Sequence, residues 1–168
     1  RRNLPRPRAP GEPTMTDSAH SERDATPPAK TTILFLCTGN SCRSQMAEGW
    51  ARRLRGEVVA PYSAGIERHG LNPYAVRVMA EAGVDISNQR SKLTAELPIA
   101  AFDFVITLCG HARETCPYFP GKTIHHGFPD PPELAKTATT EEEILAAYRA
   151  VRDQIRDFVL TLPQSLRT

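Results

Sequence analysis

Regular patterning begins at Ile33-Leu34-Phe35-Leu36, a continuous apolar run of the kind found in strands buried on both faces. Thr38-Gly39-Asn40-Ser41 follows with turn chemistry, and from Arg43 a helical period puts Met46, Ala47, Trp50, Ala51 and Leu54 on one stripe. Strand, polar loop and helix form the first half of a βαβ unit. Val58-Val59-Ala60 predicts a second strand. Asn72-Pro73 supplies the cap and first-turn proline of a helix through Val76, Met79 and Ala80, stopped at Gly83. Phe102 to Leu108 reads as another buried strand, and Ile124 marks a short last one between Lys122 and two histidines. The final helix has Thr140 and Glu143 at capping-box spacing and a stripe of Ile144, Tyr148, Val151, Ile155, Phe158 and Leu162.

Strands alternating with helices predict an α/β fold: an open, mostly parallel four-stranded sheet with helices on both faces. Such folds bind ligands at the carboxyl ends of their strands. Cys37 and Cys109 each follow directly on a predicted buried strand, so both are expected on that rim.

At 168 residues and 18.6 kDa, with 40% apolar residues, the chain fits one domain, expected over residues 31–168. Residues 1–30 hold six of the fifteen prolines and no aromatic residue, which predicts a disordered tail, with Met15 a candidate alternative start. The net charge of +2 comes from that tail, since the remainder carries 15 residues of each sign. No basic face is implied, and nucleic acid is not an expected partner. No apolar run approaches the roughly 18 residues that span a bilayer, so a soluble, cytoplasmic monomer is expected. Four cysteines are too few for a disulfide scaffold and, in a reducing compartment, point to redox, nucleophilic or metal chemistry.

The loop Cys37-Thr38-Gly39-Asn40-Ser41-Cys42-Arg43-Ser44 decides among these. A cysteine and an arginine five residues apart at a strand-to-helix junction build an oxyanion cradle. Backbone N–H groups of Thr38 to Arg43 converge on a tetrahedral anion, the helix start adds partial positive charge, and the Arg43 fork clamps two oxygens. The same potential is expected to ionise Cys37 and make it a nucleophile, with Ser44 donating a hydrogen bond to the thiolate.

Cys37 to Glu48, with Tyr62-Ser63-Ala64-Gly65 and Asp130-Pro131, resembles the low-molecular-weight protein tyrosine phosphatase fold. The wording of the loop, with Thr107-Leu108-Cys109 and Cys116-Pro117 downstream, is similar more narrowly to the thioredoxin-coupled arsenate reductases. The resemblance covers about residues 31 to 162 and implies a covalent Cys37-arsenic adduct and a Cys37-Cys109 disulfide. It further implies transfer of that disulfide to Cys109-Cys116 and recycling by thioredoxin, with no cofactor. It also implies Asp130 as general acid. Pro132 and Glu133 stand where tyrosine phosphatases carry aromatic residues that hold a phenyl ring. Asn40 is implied to hold the loop backbone. Some reductases of this class bind a monovalent cation through residues matching Asn40, Glu48 and Ser63 plus a carboxylate; Lys92 stands at that last position, which implies no potassium requirement. If residues 109 to 116 are helical, seven steps separate the two Cα atoms by roughly 10 Å, beyond the ~7 Å limit for a disulfide, so the segment has to unwind.

Two rival readings remain. A phosphatase for phosphotyrosine or phosphoarginine needs only Cys37, Arg43 and Asp130. A thiol protein that binds metal or arsenite needs no acid, but Cys109, His111, Cys116 and His125 or His126 do not have zinc-knuckle spacing. Cys42 is expected to be structural, and the three histidines to lie on the surface or in loops.

Overall fold

In the computed structural model, which describes residues 26–168, the first apolar run is β1 (Thr31–Cys37) at the centre of a sheet. The predicted tail lies outside the described residues up to residue 25; residues 26–30 are exposed coil. Successive β1 side chains alternate between two cores. Ile33 and Phe35 enter the larger cluster, Leu34 and Leu36 the smaller, and all four are fully buried. With both faces covered, no polar alternation is needed.

β2 (Val59–Gly65), β3 (Phe104–Thr107) and β4 (Lys122–His125) complete a four-stranded sheet of order β2-β1-β3-β4, with every pairing parallel. The second strand runs beyond the predicted Ala60, through Pro61 to Gly65. Proline lacks an N–H, but β2 is an edge strand whose ladder runs along β1, with a single bridge from Gly65 to Leu93 on its other side. β3 is shorter than Phe102 to Leu108 at both ends. Phe102 has left the ladder to pack its ring edge-on against Tyr62 and Phe119 in the smaller core. Leu108 still donates its N–H to Leu36, at 2.9 Å.

The larger core is covered by α1 (Arg43–Arg55), α2 (Pro73–Glu81) and α5 (Glu141–Leu160). The smaller one is covered by α3 (Gly110–Thr115) and by Leu97, Ile99 and Phe102 from the segment before β3. Leu54 does not join the α1 stripe. It lies in the last turn, past the edge of the core, and is 37% exposed. In α5 the buried stripe is Leu145, Tyr148, Val151, Ile155 and Val159, with Ile144 and Phe158 at its margin. Thr140 caps α5 by accepting from the Glu143 N–H, but the Glu143 carboxylate reaches back to the Thr139 N–H, one residue earlier than a capping box requires. Among the described residues no helix is long and apolar enough to cross a membrane.

Candidate active site

Cys37 ends β1, and the five residues that follow turn the chain into α1 at Arg43. Asn40 makes that turn at φ 45°, in the left-handed region that asparagine tolerates better than most residues. Its buried side chain holds the turn from three sides. Nδ2 donates to Ser44 Oγ at 2.9 Å, while Oδ1 accepts from the Lys92 N–H at 2.9 Å and from Gln45 Nε2 at 3.0 Å. Ser44 Oγ thus has an incoming bond and keeps its own proton to give.

The loop encloses a cavity of about 340 Å³, whose walls include Cys37, Thr38, Gly39, Arg43, Asp130 and Pro132. No Phe, Tyr or Trp lines it. A larger cavity, about 780 Å³, lies between β4 and the end of α5 and contains none of the cysteines. Arg43 Nη1 donates to the Phe128 carbonyl at 3.0 Å, and Nη2 pairs with Asp130 Oδ1 at 3.2 Å. Its Nε–H is buried with no partner among the described residues, a donor left open to an anion oxygen. Asp130 precedes α4 (Pro131–Leu134), and its carboxyl is 43% exposed. The proline-framed loop therefore delivers a carboxyl group and an arginine to one mouth.

Cys109 arrives from the end of β3 as the N-cap of α3. Its sulfur lies 3.2 Å from Thr38 Oγ1 and accepts the Ala112 N–H at 3.4 Å. A proton offered by Cys37, then these bonds and the field of Arg43, outweigh burial and lower its pKa to about 4. Cys37 moves the other way, raised by that same hydrogen bond to Cys109 and by burial. That direction runs against the expectation of an ionised Cys37. The two directions favour the shared proton on Cys37 and the charge on Cys109, where the Thr38 hydroxyl and the Ala112 N–H add to what Cys37 offers. Sequence reasoning placed all the positive potential in one loop and missed this second donor set.

The other two thiols are neutral. Burial and the Asp130 charge push Cys42 upward, in keeping with a packing role. Burial also raises Cys116, whose Sγ donates to the Pro117 carbonyl at 3.2 Å. Cys109 and Cys116 bracket α3, so the intact helix separates them by the ~10 Å of seven helical steps.

Lys92 extends its ammonium into a nearly closed site, 3.5 Å from Glu48 Oε2 and 3.3 Å from Ser63 Oγ, and Ser63 hydrogen-bonds Glu48. The cluster named from sequence is thus brought together, with an amino group inside it. His111, His125 and His126 are exposed; His125 bonds Thr107 and His126 stacks on Phe158. Among the described residues no three His, Cys, Asp or Glu side chains form a metal-holding group. Sequence reasoning missed His69, which lines the cavity with Nε2 2.7 Å from Glu67 Oε2. Its only sequence signal was proximity to the Ser63-Ala64-Gly65 strand end.

The chain belongs to the low molecular weight phosphotyrosine protein phosphatase family, which it matches over residues 32–168. Within that family its relatives include the arsenate reductase of Halalkalibacterium halodurans, 49% identical over 138 residues that cover 81% of this chain and 97% of that one. A solved arsenate reductase in a phosphate-binding state superposes with a TM-score of 0.62 at 32% identity, covering 80% of this chain and 98% of the other. The arginine phosphatase of Geobacillus stearothermophilus superposes with a TM-score of 0.64 at 25% identity, over 82% and 93% of the two chains.

Proposed function

We propose that the protein is an arsenate reductase working through Cys37, Cys109 and Cys116 and recycled by thioredoxin. The observation that carries this reading is the paired arrangement of Cys37 and Cys109, one sulfur in the anion loop and a second beside it whose pKa is lowered. A phosphatase has no use for the second.

The cradle binds arsenate through the loop N–H groups and the open Arg43 Nε–H. The Cys37 sulfur bonds to arsenic as its thiol proton passes by way of the Asp130 carboxylate to one arsenic-bound hydroxyl, which leaves as water; arsenic is still As(V). The Cys109 thiolate then attacks the Cys37 sulfur. The S–As bond breaks with its electron pair on arsenic, giving As(III), and the two sulfurs, oxidised together, form the Cys37-Cys109 disulfide. Unwinding of α3 brings Cys116 onto Cys109; as the new S–S bond forms, the Cys116 thiol gives up its proton and Cys37 leaves and takes one up, returning to a thiol. A six-residue helix with Gly110 at its start and Pro117 just past its end is easily opened. The Cys109-Cys116 disulfide, now at the surface, is reduced by the dithiol of thioredoxin. The blunt edges of the sheet support a monomeric enzyme.

Mass spectrometry of alkylated protein after a single turnover with arsenate tests the relay. The expected product has a Cys109-Cys116 disulfide and free Cys37, and Cys116→Ser stops at Cys37-Cys109 with one arsenite released per chain. A Cys116→Ser enzyme that cycles with thioredoxin at the full rate, or a Cys37-Cys42 disulfide, overturns it.

A further inference from the structure

The segment Ile66 to His69 lies along the anion loop like a strap. Ile66, Glu67 and His69 donate their N–H groups to the carbonyls of Cys37, Thr38 and Gly39 at 3.3, 2.8 and 3.1 Å. At its end the His69 ring sits where a Gly39 side chain would be: a Cβ there would lie 2.3 Å from His69 Nδ1. Gly39 has no left-handed φ, so its lack of a side chain serves this close approach. Nε2 of the ring is committed to the Glu67 carboxylate at 2.7 Å, which fixes the ring with its Nδ1 edge toward the loop. Nδ1 has no hydrogen-bond partner among the described residues. The charged and titratable groups around the ring are Glu67 and Arg68 on the strap, Cys37, Cys42 and Arg43 from the loop and α1, and Asp130 across the mouth.

The chemistry of the proposed reduction calls for a second proton donor at this mouth, and the inference rests on that reading. Forming the adduct from dihydrogen arsenate and the Cys37 thiol releases one water and leaves a singly charged S–AsO3H group. Attack by the Cys109 thiolate then expels arsenic with two negative charges, as HAsO3 dianion. Near neutral pH arsenite exists as uncharged As(OH)3, so two protons are taken up as the S–As bond breaks. Asp130 supplies one at most, and its proton has already gone to water in the preceding step.

We propose that His69 is a general acid for arsenite release, delivering the Nδ1 proton to an arsenic-bound oxygen while the Glu67 carboxylate, hydrogen-bonded to Nε2, holds the ring. The imidazole is reloaded from solvent, since its side chain is 51% exposed. His69 and Asp130 then stand on opposite rims with separate duties, one for departing arsenite and one for departing water.

The test compares the wild type with His69→Ala and His69→Gln, using arsenate as substrate and inorganic phosphate as a competing anion. General acids contribute on the order of 100-fold or more, so kcat for arsenate is expected to fall by about that factor in both variants. The phosphate inhibition constant is expected to stay within about twofold, because the cradle is untouched, and added imidazole is expected to restore part of kcat in His69→Ala. Glutamine fills the site without carrying a proton, so it reports even where alanine fails to fold. A kcat near the wild-type value in the glutamine variant, or a loss that imidazole does not rescue and that is matched by weakened phosphate binding, overturns the proposal. A wild type that does not reduce arsenate sinks the reductase reading; a working wild type beside unimpaired variants sinks only the role of His69.

Discussion

Replacing Thr38 with valine removes one hydroxyl and almost no volume. That hydroxyl lies 3.2 Å from Cys109 Sγ and gives its proton to the thiolate, a bond it makes far less well to a thiol. A hydrogen bond to a charged group is worth about 1.5 to 3 kcal/mol. Thr38 is one of several donors to that sulfur, behind Cys37, which selects the lower end of that range. At about 1.4 kcal/mol per pKa unit, losing it predicts a rise of roughly one unit from the wild-type value of about 4. The sign follows from which form is stabilised: removing a donor to the thiolate favours the thiol. Ultraviolet thiolate absorbance through an acid titration measures the midpoint, and peptide mapping after brief alkylation shows which sulfur ionised. Wild-type protein is expected to be labelled at Cys109 in mild acid, with Cys37 and Cys116 unlabelled, and labelling to fade as the pH drops through the midpoint. Preferential labelling of Cys37 in mild acid, or an unchanged midpoint in Thr38→Val, would refute the assignment of the charge.

Three further substitutions probe the scaffold. Lys92→Met leaves the Glu48 carboxylate, 9% exposed, with only Arg52 as an ionic partner and is expected to cost about 2 to 3 kcal/mol in urea unfolding, less than the ~3 to 5 of a pair broken outright; wild-type stability and activity are expected to be the same in potassium and sodium salts. Arg43→Lys keeps a charge but not a planar fork, so the affinity for inorganic phosphate is expected to fall at least tenfold, or about 1.4 kcal/mol, by isothermal calorimetry. Gly121→Ala places a Cβ 1.9 Å from the Phe102 carbonyl at φ 119° and is expected to lower the melting temperature measurably, by at least the ~1 to 3 kcal/mol of a strained backbone site.

Most of the frame was readable from the chain because its signals are local. Ile33 to Leu36 announce a doubly buried strand, Asn72 and Pro73 a helix start, and Cys37 to Arg43 an anion loop, each from a handful of adjacent residues. The errors arise where a distant partner decides. Pro61 argues against a strand until the sheet order shows β2 at the edge. Leu54 fits a stripe whose end depends on where the core stops. The lowered pKa of Cys109 draws on Cys37 and on Thr38, the latter 71 residues from Cys109, and no pattern along the chain could report those bonds. His69 escaped for the same reason, since its importance lies in the space Gly39 leaves open.

The edge position of Pro61 carries a consequence outside the catalytic rim. A parallel sheet with an open flank is a template on which another chain can lay down a further strand. Here one flank contains a residue with no donor to offer, and the other is the four-residue β4, begun by a lysine and ended by a histidine. Neither presents a long ladder of free backbone groups, so the four-stranded sheet of the described residues is a poor template for fibrils or sheet-swapped aggregates at high protein concentration.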